Sequence, residues 1–141
     1  MAISKASAVW SGGFKDGKGT MSPAHGGEIS FSAGTRFEGQ QGSNPEELIG
    51  AALCGCFSMA LSVGLGKAGL TPKRIHTTAD VKLEKIGDAF QITTIDLKTE
   101  AEVPGADAAK FEEIAQATKK GCPVSKVLAA AKIELTAKLL G

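Results

Sequence analysis

The sequence has no marked charge of either sign, since 16 basic and 15 acidic residues are interspersed along 141 positions. It therefore offers no basic surface of the kind that binds nucleic acid or an anionic membrane. Paired metal ligands are also missing, because His25 and His76 are isolated and no Cys-x-x-Cys occurs. Glycine motifs for phosphates or dinucleotides are absent as well: the glycines from Gly64 to Gly69 follow a predicted helix rather than a strand. These absences exclude nucleic-acid binding, metal dependence and nucleotide binding as favoured functions.

The sequence also lacks the features of a secreted protein. Its first ten residues, MAISKASAVW, have neither the basic start nor the apolar core of a secretion signal. Three cysteines cannot all pair within one chain, and unpaired thiols are tolerated in a reducing environment. We therefore expect a cytoplasmic protein in which any disulfide is transient and chemical.

The longest uncharged run, Leu48–Gly66, is just long enough to span a bilayer. Four glycines and two serines dilute it, and neither an aromatic belt nor a marked basic cluster flanks it. A helix that is apolar all round can equally form the centre of a globular protein. A membrane-spanning helix is therefore the less favoured alternative.

The composition, with 43% hydrophobic and 22% charged residues, is typical of a folded protein, and the length fits a single domain over residues 1–141. Glycine-rich punctuation in the first forty residues predicts short β-strands, with Asp16-Gly17 as a hairpin turn. Apolar and polar residues alternate from Ile29 to Glu38, which predicts a half-buried strand that carries Arg36 on its polar face.

A long helix is predicted next. Asn44 is a good N-cap, Pro45 suits the first helical position, and Glu47 stands where a capping-box acid belongs. The helix is predicted to run to about Lys67, with Gly69 as its end. Because the helix is apolar around its whole circumference, it needs more cover than one chain readily provides. We therefore expect a C2 homodimer.

The remaining elements lie in blocks rather than in strict alternation, which is typical of the α+β class. The parity of apolar residues slips near Thr93–Thr94, which predicts either a bulge or a strand covered on both faces. The predicted elements are a strand over 75–83, a return strand over 90–97, a helix that ends at Gly121, a short helix from Pro123 to Ala131 and a strand over 133–139.

Two of the three cysteines lie in the long helix. Cys54 and Cys56 are separated by about 200° of rotation, so they cannot pair or chelate while the helix holds. Cys54 is best interpreted as a small apolar filler. Burial normally makes a thiol inert, so Cys56 can react only if a cation offsets its desolvation. Arg36 is a candidate for this cation, and an ordinary exposed arginine is the alternative.

Cys122 lies between a helix that ends at Gly121 and a helix that Pro123 begins. The amides and the dipole at a helix start favour negative charge on sulfur and lower a thiol pKa, and Lys119 and Lys120 add positive charge. A structural turn cysteine is an equally supported alternative. Residue patterns alone therefore predict an α+β domain whose thiols are candidates for reactivity.

Several segments together resemble the osmotically inducible OsmC branch of the OsmC/Ohr peroxidase family. They are TRFEG, NPEELIGAA followed by CFSMALS, TTADVKLEK and GCPVS, and the resemblance covers essentially the whole chain. Their combination is specific, although each alone would be weak. The resemblance implies a single OsmC-like domain with N-terminal strands, a long buried central helix, a β-hairpin, two further helices and a C-terminal strand. It also implies an intertwined α+β homodimer with two active sites at the subunit interface.

The resemblance further implies a thiol-dependent peroxidase that reduces organic hydroperoxides, and hydrogen peroxide less well, in oxidative or osmotic stress defence. Within the shared motifs, Cys56 matches the peroxidatic cysteine and Cys122 the resolving cysteine, while Arg36 and Glu46 match the activating pair. A sulfenic acid on Cys56 is expected to condense with Cys122 to a disulfide. An external thiol, or a dithiol such as dihydrolipoamide, then restores the enzyme without a bound cofactor or metal. Cys54 has no counterpart in the family motif.

Two expectations about the site remain. Glu46 and Cys56 are ten residues apart, about 15 Å along one helix, which is beyond hydrogen-bond contact even with the help of an arginine. We therefore predict that Arg36 and Glu46 reach the Cys56 of the partner subunit. Phe37, Leu53 and Met59 are candidates for the pocket lining. The alternative function is a non-catalytic OsmC-like carrier or redox sensor for small apolar or oxidised molecules.

Overall fold

The chain forms six strands and four helices in a computed structural model that describes residues 1–141. Contacts group the chain into two compact units, Met1–Glu47 and Leu48–Gly141. In chain order the elements are β1 (Ala6–Ser11), β2 (Lys18–Pro23), β3 (Ile29–Phe31), α1 (Ala33–Phe37), α2 (Pro45–Lys67), β4 (Arg74–Ile86), β5 (Ala89–Glu102), α3 (Ala108–Gly121), α4 (Pro123–Val127) and β6 (Lys132–Leu139).

The first unit contains an antiparallel sheet of strand order β1-β2-β3. The predicted hairpin is confirmed, but its connection is a longer loop over residues 12–17 rather than a two-residue turn at Asp16-Gly17. Gly19 of β2 lies opposite both Trp10 and Phe31. A Cβ at Gly19 would come within 2.7 Å of the Trp10 ring and 2.6 Å of the Phe31 ring. Glycine at this position therefore lets the two rings meet, with their centroids 5.4 Å apart.

The predicted strand from Ile29 to Glu38 is wrong beyond β3, because the chain turns into helix α1. A capping box starts this helix: the Ser32 hydroxyl accepts from the Thr35 amide at 3.2 Å, and the Ser32 amide donates to Thr35 Oγ1 at 2.9 Å. These local bonds satisfy first-turn amides that a strand would have to pair elsewhere. Arg36 consequently lies in the last turn of a short helix and not on a strand.

The prediction of the long helix is confirmed at both ends, since α2 runs from Pro45 to Lys67. At its start, Asn44 Oδ1 accepts from the Glu47 amide at 2.9 Å, while the Glu47 carboxylate accepts from the Ser43 hydroxyl at 2.9 Å. At its end, Gly69 has a φ of +77°, and the following amide returns to the carbonyl of Leu65. Only glycine enters this left-handed region without strain.

Within one chain, helix α2 is buried along one side and exposed along the other. The buried side carries a fully buried residue at every fourth position, namely Leu53, Phe57, Leu61 and Leu65. On the opposite side Met59 is 73% exposed and Val63 is 54% exposed. A single copy of the chain therefore does not cover the whole circumference of α2. By length and composition α2 could also cross a membrane, a test that the core helices of soluble proteins pass as well.

The second unit contains a sheet of strand order β4-β5-β6, antiparallel between β4 and β5 and parallel between β5 and β6. The predicted bulge is confirmed: Lys82 pairs with Thr94 and Leu83 pairs with Ile92, so Thr93 is left over. Beyond this bulge the residues of β5 point alternately into the core, and Ile95 and Leu97 join the same buried cluster as the buried side of α2.

The last two helices bring the chain back to this sheet. Helix α3 ends at Gly121 as predicted, and Pro123 begins α4. The prediction that α4 continues to Ala131 is wrong, because α4 ends at Val127. The next residues form short i→i−3 hydrogen bonds, such as Ala131 N–H to Leu128 O at 3.0 Å, and β6 must then extend to pair with β5.

Candidate active site

Two cysteines that are distant in sequence meet inside the second unit. The sulfurs of Cys56 and Cys122 are 2.9 Å apart, which is within hydrogen-bond distance. A disulfide requires about 2 Å, so only a small movement separates this arrangement from a covalent bond. Helix α2 supplies Cys56, and the junction of α3 and α4 supplies Cys122, whose amide donates to Thr118 O at 2.8 Å. The two cysteines that the resemblance implied as a pair therefore lie in contact within one chain.

The two sulfurs differ in accessibility. Cys122 is fully buried, with 0% exposure, and belongs to the hydrophobic core. Cys56 is half-buried and packs against that core. Cys56 is therefore the more accessible residue of the pair.

The two thiols also differ in pKa. Burial raises the pKa of Cys56, and its hydrogen bond with Cys122 raises the pKa further. Burial likewise raises the pKa of Cys122, but its hydrogen bond with Cys56, the amide and hydroxyl of Ser125 and the amide of Val124 together outweigh burial and lower the pKa overall. Within residues 48–141, no cation is among the groups that shift the pKa of Cys56. A thiolate on Cys56 at neutral pH consequently needs a positive charge from elsewhere.

Arg36 and Glu46 form an ion pair in the first unit. Arg36 Nε donates to both carboxylate oxygens of Glu46 at 3.1 Å, and Arg36 Nη2 donates to Glu46 Oε1. Glu46 is only 7% exposed, whereas about a third of the Arg36 side chain, 34%, is accessible. The short helix α1 presents the guanidinium, and the first turn of α2 presents the carboxylate. A buried carboxylate that holds a planar guanidinium from one edge leaves the other edge free for an anion.

An aromatic cavity of about 190 Å³ adjoins Arg36 in the first unit. Phe37 lines it, as expected of a pocket residue, and the Arg36 guanidinium lies 5.2 Å from the centre of the Phe37 ring. Leu53 and Met59 do not line this cavity, since Leu53 is fully buried in the core and Met59 is exposed on α2, and their place in the pocket lining stays a prediction. Sequence reasoning missed three aromatic residues of the lining: Trp10, Phe14 and Phe31.

Cys54 lies apart from the thiol pair. It is half-buried against the core, and burial raises its pKa. Because burial raises the pKa of Cys54 and the sulfur contact with Cys122 belongs to Cys56, Cys54→Ser is expected to leave peroxide consumption within about twofold of the parent rate. A steady-state peroxide assay on the two proteins checks this. A loss of activity in Cys54→Ser while Cys56→Ser stays active would contradict the assignment of Cys56.

The structure shows no group of three or more His, Cys, Asp or Glu side chains that could hold a metal ion. His25 lies in a turn of the first unit, and His76 lies on β4 of the second unit.

Comparisons with known proteins agree with this geometry. The OsmC-like protein family matches residues 38–138. Peroxiredoxin OsmC of Escherichia coli strain K12 is 56% identical over 134 residues, which cover 94% of this chain and 92% of that protein. Among solved structures, an OsmC like protein from Mycoplasma pneumoniae has a TM-score of 0.79 at 16% identity, covering 99% of both chains. The organic hydroperoxide resistance protein OhrB of Bacillus subtilis has a TM-score of 0.68 at 23% identity, covering 96% of this chain and 97% of that one.

Proposed function

We propose that this chain, which belongs to the OsmC-like protein family, is a thiol-dependent peroxidase that reduces organic hydroperoxides to alcohols. The observation that carries the proposal is the 2.9 Å distance between the sulfurs of Cys56 and Cys122. The 56% identity to a protein named as a peroxiredoxin supports it. Hydrogen peroxide is the poorer substrate in this proposal, because the aromatic cavity beside Arg36 suits an apolar organic group.

The first step oxidises Cys56. Its thiolate attacks the terminal oxygen of the hydroperoxide, the O–O bond breaks, and the alkoxide leaves and takes a proton to become an alcohol. The sulfur keeps the transferred oxygen as a sulfenic acid. Cys56 has this role because it is the more accessible sulfur of the pair.

The next steps restore the thiols. The Cys122 thiolate attacks the Cys56 sulfenic acid, and a disulfide forms as hydroxide leaves and is protonated to water. An external thiolate then attacks the Cys56 sulfur of this disulfide and releases Cys122 as a thiolate. A second thiol group attacks the reductant's sulfur in the resulting mixed disulfide and releases Cys56. A dithiol completes both displacements within one molecule. The electrons come from this reductant, so the proposed cycle uses no bound cofactor.

Arg36 and Glu46 form the activating pair in this proposal. The guanidinium stabilises the Cys56 thiolate, whose pKa is otherwise raised by burial. Glu46 holds the guanidinium by the two carboxylate contacts described above. The helical spacing between Glu46 and Cys56, about 15 Å, favours action on the Cys56 of the partner subunit.

The exposed side of α2 supports a homodimer with active sites at the subunit interface. Besides Met59 and Val63, this side carries small residues, Ala52, Gly55 and Gly66, which let a second helix approach closely. Burial of an apolar face by a second copy is the usual reason for such a surface.

The proposed protein acts as one OsmC-like domain over residues 1–141, and its place is the reducing cytoplasm, where free thiols persist.

The test of this function is catalytic turnover. Reduced protein is mixed with cumene hydroperoxide and excess dithiothreitol, and the remaining peroxide is measured over time. Many equivalents of peroxide per chain are expected to disappear. One stoichiometric oxidation without turnover would instead indicate a redox sensor, and no oxidation would indicate a carrier.

Cys122→Ser separates the two cysteines in the same assay. With peroxide in excess over thiol, this variant is expected to consume about two to three equivalents per chain and then lose activity, because the sulfenic acid of Cys56 has no resolving partner and is oxidised further. Mass mapping of the peptide that contains Cys56 should show sulfinic or sulfonic acid. Sustained turnover of Cys122→Ser, under conditions in which the external thiol does not attack Cys56 directly, would contradict the role of Cys122.

A further inference from the structure

The hydroxyl of Ser125 is buried and forms no hydrogen bond of ordinary geometry, although it lies close enough to the Cys122 sulfur to act on the pKa of that thiol. Ser125 is only 4% exposed, and its Oγ is one of two buried side-chain polar atoms in the chain that lack a partner. The other is Thr93 Oγ1, at the bulge of β5. A buried hydroxyl that forms no hydrogen bond lowers stability and therefore calls for an explanation.

The position of Ser125 in α4 relates it to Cys122. Cys122 is the N-cap residue of α4, and Ser125 is the third residue of that helix. In a capping box the side chains of these two positions bond to each other's backbone amides, so both side chains lie over the first turn; Cys122 forms no such bond here. The Lys126 amide donates to the Cys122 carbonyl at 3.0 Å and closes the turn. A hydroxyl and a sulfur, both buried, thus share one short helical turn.

We propose that Ser125 is a positioning residue whose hydroxyl donates a hydrogen bond to the sulfur of Cys122 when that sulfur is a thiolate. The inference rests on the proposed peroxidase cycle, in which Cys122 is a thiolate twice. It attacks the sulfenic acid of Cys56, and it leaves when an external thiolate attacks Cys56 in the disulfide. Stabilising the thiolate raises the ionised fraction before the attack and makes Cys122 a better leaving group after it.

Several titratable or charged groups besides Ser125 lie near Cys122, in space or in sequence. Cys56 of α2 is the titratable group in direct contact with it. Lys67 and Glu113 line a cavity of about 350 Å³ that also reaches Cys122. The charged side chains nearest in sequence are three lysines: Lys119, Lys120 and Lys126. The Ser125 hydroxyl is among the groups that lower the pKa of Cys122 against the effect of burial. Replacing Ser125 by alanine removes this hydroxyl and leaves all of the charges in place.

The first test measures the ionisation of Cys122 alone, in Cys54→Ser/Cys56→Ser protein. Thiolate absorbance near 240 nm is titrated with pH, which is practical because the chain contains no tyrosine. Ser125→Ala is expected to raise the titration midpoint by about one pH unit, a tenfold loss of thiolate. Ser125→Thr keeps the hydroxyl and is expected to return the midpoint toward that of the parent. Equal midpoints for serine and alanine would overturn the proposal.

The second test follows the individual steps in Cys54→Ser protein. Samples are quenched with N-ethylmaleimide at short times, and the state of each cysteine is read by peptide mass mapping. Ser125→Ala is expected to leave oxidation of Cys56 within about twofold and to slow disulfide closure about tenfold. Equal slowing of both steps would assign Ser125 a merely structural role. If the parent protein is not oxidised by peroxide at all, the proposed function fails, while the absorbance titration still decides the role of Ser125.

Discussion

Cys56→Ser is expected to lower the rate of organic peroxide consumption about a thousandfold or more, to the level of the uncatalysed reaction with the reductant. A serine hydroxyl at neutral pH is almost entirely protonated, and it lacks the nucleophilicity of a thiolate toward a peroxide oxygen. The change is nearly isosteric at a half-buried position, so the fold should persist. The measurement is peroxide loss in the presence of excess dithiol, at several peroxide concentrations.

Cys54→Ser is the matched control for this experiment. It removes a thiol from the same helix, with similar burial and a pKa that burial likewise raises. If both serine variants lose activity equally, the loss reflects damage to α2 and not to a reacting sulfur. If Cys56→Ser retains turnover, the peroxidatic assignment is wrong, and the 2.9 Å sulfur pair has a different purpose.

The parts of the fold that sequence could predict are those with local signals. Asn44 and Gly69 mark the ends of α2 by side-chain capping and by a left-handed backbone, and both act within a few residues. The bulge at Thr93 could be predicted because one extra residue shifts the alternation of all the apolar residues that follow it by one position. The end of α4 could not be predicted from the sequence, because it depends on the pairing of β6 with the distant strand β5.

Helix α1 shows how two local signals can conflict. The alternation from Ile29 to Glu38 is a real strand pattern, yet Ser32 and Thr35 also form a capping box. The capping box decides the local structure because it gives the backbone amides hydrogen-bond partners within a few residues. A longer strand would instead need a partner strand along its whole length. This outcome moves Arg36 from a strand to a helix, where it meets the carboxylate of Glu46.

The candidate site depends mostly on long-range arrangement, so residue patterns reached it only in part. Cys56 and Cys122 are 66 residues apart, and nothing in their spacing shows that the sulfurs meet. Only the likeness of whole motifs to a known family implied the pair. The aromatic cavity was missed because it needs the register of β1, β2 and β3, which brings Trp10 and Phe31 together across Gly19.

Arg36→Met is expected to slow the oxidation of Cys56 about a hundredfold or more at pH 7. Without the guanidinium, burial leaves the pKa of Cys56 above its ordinary value, and each unit of increase removes nine-tenths of the remaining thiolate. The rate in the variant should consequently rise about tenfold per pH unit above neutrality, as the thiol ionises. Arg36→Met/Glu46→Gln is the control, because it also removes the carboxylate that would otherwise be buried without a partner.

The same variant decides which subunit supplies the guanidinium. Arg36→Met and Cys56→Ser proteins, each nearly inactive, are unfolded, mixed and refolded so that heterodimers form. If Arg36 acts on the Cys56 of the partner subunit, one site of each heterodimer combines an intact Arg36 with an intact Cys56. That mixture should recover about a quarter of the parent activity, because half of the dimers are heterodimers with one working site each. If Arg36 acts within its own chain, no heterodimer contains a complete site, and the mixture stays as inactive as its components.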